Sequence, residues 1–313
     1  MHTLLNQAIA QAGSVILGKE HPIRLALSCL LARGHLLIED LPGVGKTTLA
    51  HVLATTLGLR FNRIQFTSDL MPADILGVAV YERGSGEFRF HPGPIFAHLV
   101  LADEINRATP KTQSALLEAM EERQITIEAN SRPLPDPFVV VATQNPVEYE
   151  GTYPLPEAQL DRFLFKLQVG YPSAEQEQLV LARHHHGLDP HDLASSGVQA
   201  VAGPDDLAAA RAQVEQVGVE DNVLAYAVQL VRATRESPSV SLGVSPRGAA
   251  ALLRASKAWA WLAGSTFVTP DHVKAVAKPT LRHRLILRPE LELEGATPDG
   301  VLDGVLASVP APK

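Results

Sequence analysis

The chain has 313 residues, 46% hydrophobic and 19% charged, which describes a soluble chain with a full core and room for two domains. Its net charge of −7 leaves no global basic field to draw in nucleic acid. The single cysteine, Cys29, excludes an intrachain disulfide and suits a reducing interior; in its apolar run a buried structural thiol is expected rather than a nucleophile.

The first residues, Met1 to Gln7, lack the basic start and apolar core of a signal peptide. The most apolar stretch, Ile23 to Ile38, is broken by Arg24, Arg33 and His35, and is too short and too charged to span a bilayer. A cytoplasmic protein is expected. Residues 3–17 have the spacing of an amphipathic helix ending at Val15-Ile16-Leu17-Gly18, and a second helix is predicted over about His21–Ala32. Leu36 to Ile38 then reads as a buried strand. A Pro/Gly loop follows, and a helical pattern runs from Thr47 to Leu57 with Leu49, Ala50, Leu53 and Leu57 on one face.

Strand, glycine loop, Gly45-Lys46-Thr47 and helix, in that order, form the phosphate-binding loop of nucleoside triphosphatases. Pro42, Gly43, Val44, Gly45, Lys46, Thr47 and Thr48 are its expected nucleotide contacts. Gly43 and Gly45 let backbone N–H groups converge on an anion without a Cβ in the way. The helix that follows turns unpaired N–H groups and the positive end of its dipole toward the same place. Lys46 adds a mobile cation for the outer phosphates, and the Thr47 hydroxyl can ligate Mg2+. One position departs from the pattern: Asp40 stands where the loop usually opens with glycine.

Further along, Arg60–Phe66 alternates as a strand does. Val78 to Phe90 reads as a hairpin turning at Gly84-Ser85-Gly86. The apolar run Ala97–Leu101 closes on Asp103 and Glu104, at the sheet edge where ligands sit. Asp103 is expected to hold the hydration shell of Mg2+ opposite Thr47, and Glu104 to orient and polarise the attacking water. A second hairpin is expected over Gln124–Pro133. The next apolar run, Phe138–Ala142, closes on Thr143-Gln144-Asn145, where an amide can meet the terminal phosphate, though Asn-Pro is also a turn dipeptide. Arg162 ends a short helix, where the dipole favours a cation in any case. Phe163–Val169 is a further strand. Short apolar strands separated by helices argue for a parallel sheet covered on both faces.

After Tyr171-Pro172 the β-rich runs disappear, dividing the chain into an α/β part, 1–171, and a helical part, 172–313. Helices are predicted at about Glu175–His186, Pro204–Gln213, Asp221–Arg235, Pro246–Leu262 and Pro270–Leu281, with Gly187–Ala202 the expected flexible stretch. Trp259 and Trp261 are expected in the core of this part. His184, His185 and His186 are consecutive, so in a helix they point about 100° apart and cannot face one ion. Ser245 is a good N-cap and Pro246 a good first residue, which puts the Arg247 cation at the positive end of a helix dipole. That is unfavourable by about a few tenths of a kcal/mol unless an anion is near, and a triphosphate is one such anion.

Together these residues resemble the MoxR family of AAA+ ATPases, of the helix-2-insert clade related to magnesium-chelatase motor subunits. The resemblance runs from about Val15 to Arg254 and rests on Glu39 to Thr47, Gln65 to Asp74, Leu101 to Ala108, Ala142 to Pro146, Leu155 to Phe163 and Ser245 to Arg247. It implies an α/β fold: a P-loop AAA+ core with a five-stranded parallel sheet flanked by helices, then a C-terminal all-helical lid. It implies that Ile16, Leu17 and Gly18 contact adenine, that Asn145 is the first sensor and Arg247 the second, and that Arg162 is the arginine finger reaching a neighbouring subunit, with Arg107 as second choice. It implies ATP bound between core and lid with Mg2+, Arg247 tying the lid to the nucleotide, and a homo-oligomer in the form of a hexameric ring. The two hairpins resemble the helix-2 insert and pre-sensor hairpin, which face a pore or the substrate. The implied activity is remodelling or maturation of a protein client with a von Willebrand factor A domain partner. Alternatives are a motor on nucleic acid, a metal-chelation motor and a small-molecule kinase; the acidic balance and the lack of a basic module weigh against nucleic acid.

Overall fold

The computed structural model describes residues 2–40, 43–84, 86–128, 130–146, 151–185 and 197–312. Five strands, β1 (Leu36–Glu39), β2 (Phe61–Gln65), β3 (Leu99–Asp103), β4 (Val139–Gln144) and β5 (Phe165–Leu167), form one parallel sheet in the order β2-β3-β4-β1-β5. The inner strands read as unbroken apolar runs because each buries both faces. Alternation divides them. Leu36, Ile38, Leu99, Leu101, Val139 and Val141 enter one apolar cluster, while Leu37, Val100, Ala102, Val140 and Ala142 enter the other.

The first cluster is covered by α1 (His2–Val15), α2 (Glu20–Leu31) and α3 (Lys46–Thr56). The second is covered by α4 (Pro110–Glu122), which contributes Leu116, Leu117 and Met120. Because β1, β3 and β4 are parallel neighbours, the phosphate loop, Asp103-Glu104 and Asn145 all leave the same edge of the sheet. Both hairpins form: Gly77–Glu82 pairs with Glu87–Pro92, and Gln124–Ile127 with Asn130–Pro133. Ser85 of the expected turn lies outside the described residues.

Beyond residue 171 come α5 (Ala174–His185), α6 (Pro204–Glu215), α7 (Asp221–Glu236), α8 (Pro246–Leu262), α9 (Pro270–Leu281) and α10 (Pro298–Ser308). Most of Gly187–Ala202, and His186 of the histidine run, lie outside the described residues. The region is helical with one addition, a ribbon of Val240–Leu242 against Ile286–Leu287. These strands are too short to show a period in sequence; they pair because the α8–α9 hairpin brings its flanks together. The helix α10 carries a start signal that the sequence reading passed over: Thr297 caps it by accepting from the Gly300 N–H at 3.1 Å, with Pro298 in the first turn.

The apolar cluster under α1–α3 continues without a break into α6–α10. Arg211 of α6, only 2% exposed, donates to the Leu30 carbonyl at 2.8 and 3.0 Å and to Asp136 Oδ1 at 3.0 Å. The helical region is therefore seated on the α2 side of the sheet by packing and by a buried cation. Trp261 is buried in this cluster and Trp259 packs against it. Cys29 is buried and free, its thiol pushed up by burial. Among the described residues no helix is long and apolar enough to cross a membrane.

Candidate active site

The chain leaves β1 through Glu39 and Asp40 and re-enters regular structure at Lys46. Gly43 and Gly45 stand at φ 82° and 86°, a region that costs an L-residue roughly 1–2 kcal/mol. A Cβ at either would meet nothing within 4 Å. Backbone path, and not crowding, therefore requires glycine, and the loop lies open above α3. Leu41 and Pro42 lie outside the described residues. The Lys46 ammonium donates to the Asp40 carbonyl at 2.6 Å. Burial lowers its pKa, while the charges of Asp40, Asp103 and Glu104 pull it back up. A cavity of about 290 Å³ opens beside the loop, lined by Ile16, Leu17, Val44, Thr48 and, from α5, Val180 and Arg183. Gly18, at φ 69°, turns the chain from this wall into Lys19.

The acidic pair closes the other side. Thr143 Oγ1 donates to Asp103 Oδ1 at 2.6 Å and accepts the Glu104 N–H at 2.8 Å, so the end of β4 fixes the Asp103 carboxylate and the Glu104 backbone. Arg63 of β2 donates to Asp103 Oδ2 at 2.7 and 3.1 Å. Gln65 donates to Glu104 Oε2 at 3.0 Å, and Arg107 pairs with the same oxygen at 3.0 Å. Glu104 itself stands at φ 55°, a left-handed backbone that stores about 1–3 kcal/mol. Asn145 is buried one residue past β4. The sequence reading passed over Arg63 and gave Gln65 a place in a motif but no role. Period two puts them on one face of β2, but only the register Gln65↔Asp103 shows which acids they meet. Arg107, the second choice for a residue reaching across subunits, points its guanidinium at Glu104 of its own chain.

A hydroxyl at Thr47 and a carboxylate at Asp103 are hard oxygen donors of the kind a Mg2+ that keeps most of its water accepts. Thr47 stands in the first turn of α3 and the charge of Asp103 acts on the adjacent Lys46, so the donor set fits that ion.

Arg162 and Arg247 are brought together, and away from the phosphate loop. Arg247 donates to both oxygens of Glu121, at 2.8 and 3.0 Å, and faces Asp161 Oδ2 at 3.5 Å. Ser245 caps α8 as predicted, accepting from Gly248 N–H at 3.2 Å. The anions that offset the Arg247 charge at this N-terminus are thus two carboxylates of the same chain. Arg162 donates to the Leu117 carbonyl at the other wall of the same space. The cavity, about 140 Å³, is lined by six arginines, Arg33, Arg123, Arg162, Arg247, Arg254 and Arg284, against two carboxylates. It shares no lining residue with the cavity at the phosphate loop. Arg247, expected to tie the lid to the nucleotide, is held here by Glu121 and Asp161, over which α8 is seated.

Arg284, absent from the sequence reading, organises this second region. Its side chain is 4% exposed and donates to Asp161 Oδ1 at 2.6 Å, to the Asp161 and Phe163 carbonyls at 3.0 and 2.7 Å, and to the Leu164 carbonyl at 3.2 Å. It grips the backbone on both sides of Arg162. No local pattern in the sequence marks it: besides Thr280 and His283 of its own turn, its partners at Asp161, Phe163 and Leu164 lie more than a hundred residues away.

A phosphate loop after β1, an Asp-Glu pair after β3, an amide after β4 and a helical lid define a P-loop ATPase of the AAA+ class. Residues 35–165 match the family described as "ATPase family associated with various cellular activities (AAA)", and residues 232–304 match the "AAA lid domain". Over 312 residues the chain is 47% identical to YeaC of Bacillus subtilis, spanning 100% of this chain and 96% of that one. Over 322 residues it is 40% identical to Chaperone MoxR1 of Mycobacterium tuberculosis, spanning 100% and 83%. A crystal structure of a Cytophaga hutchinsonii protein superposes with a TM-score of 0.90 at 38% identity, covering 100% of this chain and 96% of that one. The chain belongs to the MoxR family of AAA+ ATPases.

Proposed function

We propose that this ATPase is a chaperone-like remodelling motor whose nucleotide site is completed by a second copy of the chain. The observation that carries the reading is the shared cavity of Arg162 and Arg247, distinct from the cavity at the chain's own phosphate loop. Six arginines around two carboxylates leave that surface with an excess of positive charge, which suits the triphosphate of a neighbour in a ring. The ring is taken as a hexamer. The relative named Chaperone MoxR1 supports action on a protein client. The family resemblance supports a von Willebrand factor A domain partner and a lid comprising residues 172–313.

In this mechanism the base of ATP lies against Ile16, Leu17 and the turn at Gly18, and its phosphates lie over Gly43 to Thr48. Lys46 leaves the Asp40 carbonyl for the outer phosphates. Thr47 and Asp103 would hold Mg2+, which when bound neutralises phosphate charge. Glu104, its backbone held by Thr143 and its carboxylate by Gln65 and Arg107, orients the attacking water and takes its proton. Asn145 meets the terminal phosphate. Arg162 and Arg247 of the adjacent copy stabilise the charge that develops on the transferred group, an effect of about a thousandfold or more in comparable sites.

Mixing tests this. Arg162→Ala subunits keep Glu104, and Glu104→Gln subunits keep Arg162, so each alone is inactive and the mixture regains turnover at interfaces that pair one with the other. A mixture as inactive as its parts, or a wild-type monomer that hydrolyses ATP at full rate, overturns the reading.

A further inference from the structure

Asp40 departs from the glycine usual at its position, and nothing in the mechanism above uses its side chain. That side chain turns away from the loop to the end of β5. Asp40 Oδ2 accepts the N–H groups of both Val169 and Gly170, each at 2.5 Å. These residues follow β5, whose pairing with β1 runs in register through Ile38↔Leu167. Where the backbone ladder stops, the Asp40 carboxylate takes over as the acceptor for the next N–H groups. Gly170 then turns at φ 67° and the chain runs on to Pro172 and α5.

The same two residues, and Tyr171 after them, are held from their carbonyl side. Lys19 is 8% exposed, and its ammonium donates to the carbonyls of Val169, Gly170 and Tyr171 at 2.8, 3.0 and 3.1 Å. All three of its N–H bonds are thereby spent on one short segment. A buried ammonium is retained where carbonyls replace its water so completely. One grip begins in the nucleotide cavity and the other at the start of the phosphate loop. Lys19 follows the Ile16-Leu17-Gly18 wall and lines the cavity itself, and the Asp40 carbonyl receives Lys46. The gripped segment leads to Val180 and Arg183, which line the cavity from the lid side.

We propose that Lys19 and Asp40 are positioning residues for ATP turnover, a two-sided clamp that makes the first lid helix follow the phosphate loop. Seating of phosphate draws Lys46 from the Asp40 carbonyl, and the adjacent carboxylate passes the adjustment to the peptides of Val169 and Gly170. Glycine at this position would seat phosphate equally well and transmit nothing. The proposal rests on ATP binding at the phosphate loop and is independent of whether the arginines act across subunits.

Asp40→Gly, which restores the residue usual in such loops, is the decisive variant. It is expected to bind Mg-ATP within about threefold of wild type while kcat falls about tenfold or more at nearly unchanged KM. Amide hydrogen exchange over residues 174–185 is expected to change when ATP binds the wild type, and to stop responding in the variant although ATP is bound. Lys19→Met is expected to give the same uncoupling from the carbonyl side. Asp40→Asn keeps one acceptor oxygen and is expected to fall between; these two carry the same readouts if Asp40→Gly does not fold. Variants that hydrolyse ATP at the wild-type rate, or retain the ATP response in α5, overturn the proposal. So does a loss of ATP affinity as large as the loss of kcat, which would put Asp40 in phosphate binding itself. Failure of the wild type to bind ATP would instead overturn the phosphate-loop seat.

Discussion

Arg284 offers the sharpest quantitative test, because its contacts separate packing from charge. Arg284→Met keeps most of the volume of a side chain that is 4% exposed, and removes every donor to Asp161, Phe163 and Leu164. Asp161 is 22% exposed and still faces Arg247, so it is not left as a fully buried lone charge. The loss should fall below the roughly 3–5 kcal/mol of breaking a fully buried pair. One charge-assisted bond at roughly 1.5–3 kcal/mol, with the Phe163 carbonyl still facing His283 Nε2 at 3.0 Å, gives about 3 kcal/mol. Asp161→Asn removes the charge alone and should cost about 1.5 kcal/mol. In a double-mutant cycle read by denaturant unfolding without nucleotide, the coupling between positions 284 and 161 should be about 1.5 kcal/mol or more. Mixed with Arg162→Ala subunits, Arg284→Met subunits should also rescue turnover less well than wild type, since the segment carrying Arg162 is released. A coupling below about 0.5 kcal/mol would refute the argument that this pair fixes the segment.

Glu104→Gln should retain ATP and lose turnover by about a hundredfold or more, measured as phosphate release against nucleotide affinity; intact turnover would remove Glu104 from the water-orienting role. His35 gives a pH prediction. Buried, with Nδ1 accepting the Val140 N–H at 3.0 Å and Nε2 facing the Met120 carbonyl at 3.2 Å, its pKa falls to about 4 from 6.5, chiefly by desolvation. The unfolded chain therefore binds this proton first. The stabilisation is whole above pH 6.5 and is lost as pH falls toward 4, by about 3 kcal/mol in the limit. Stability of the wild type measured between those values should slope accordingly, and His35→Asn should flatten the slope; equal slopes would count against it.

The parts of this molecule legible in the sequence are those written in contiguous residues. A strand, two glycines and Gly45-Lys46-Thr47 dictate a backbone path by torsion alone, and an apolar run ending in Asp103-Glu104 declares where a buried strand meets solvent. The turn at Ser245-Pro246 was equally local, and its cap formed. Arg247 shows where such reasoning stops. Its position at a helix start did call for an anion, but which anion depends on where α8 lands, and Glu121 and Asp161 stand there.

The sequence by itself determined the strands, the phosphate loop and the acidic pair, because hydrophobic period and backbone torsion act over a few residues. Tertiary structure alone decided that Arg63 and Gln65 hold the acids, that Arg162 and Arg247 share one cavity, and that Asp40 reaches the segment leading into the lid. Those pairings join residues 39 to 130 positions apart or are set by how the lid seats on the sheet. Charge and hydrogen-bonding capacity announce that a partner is needed; only register and packing choose which one.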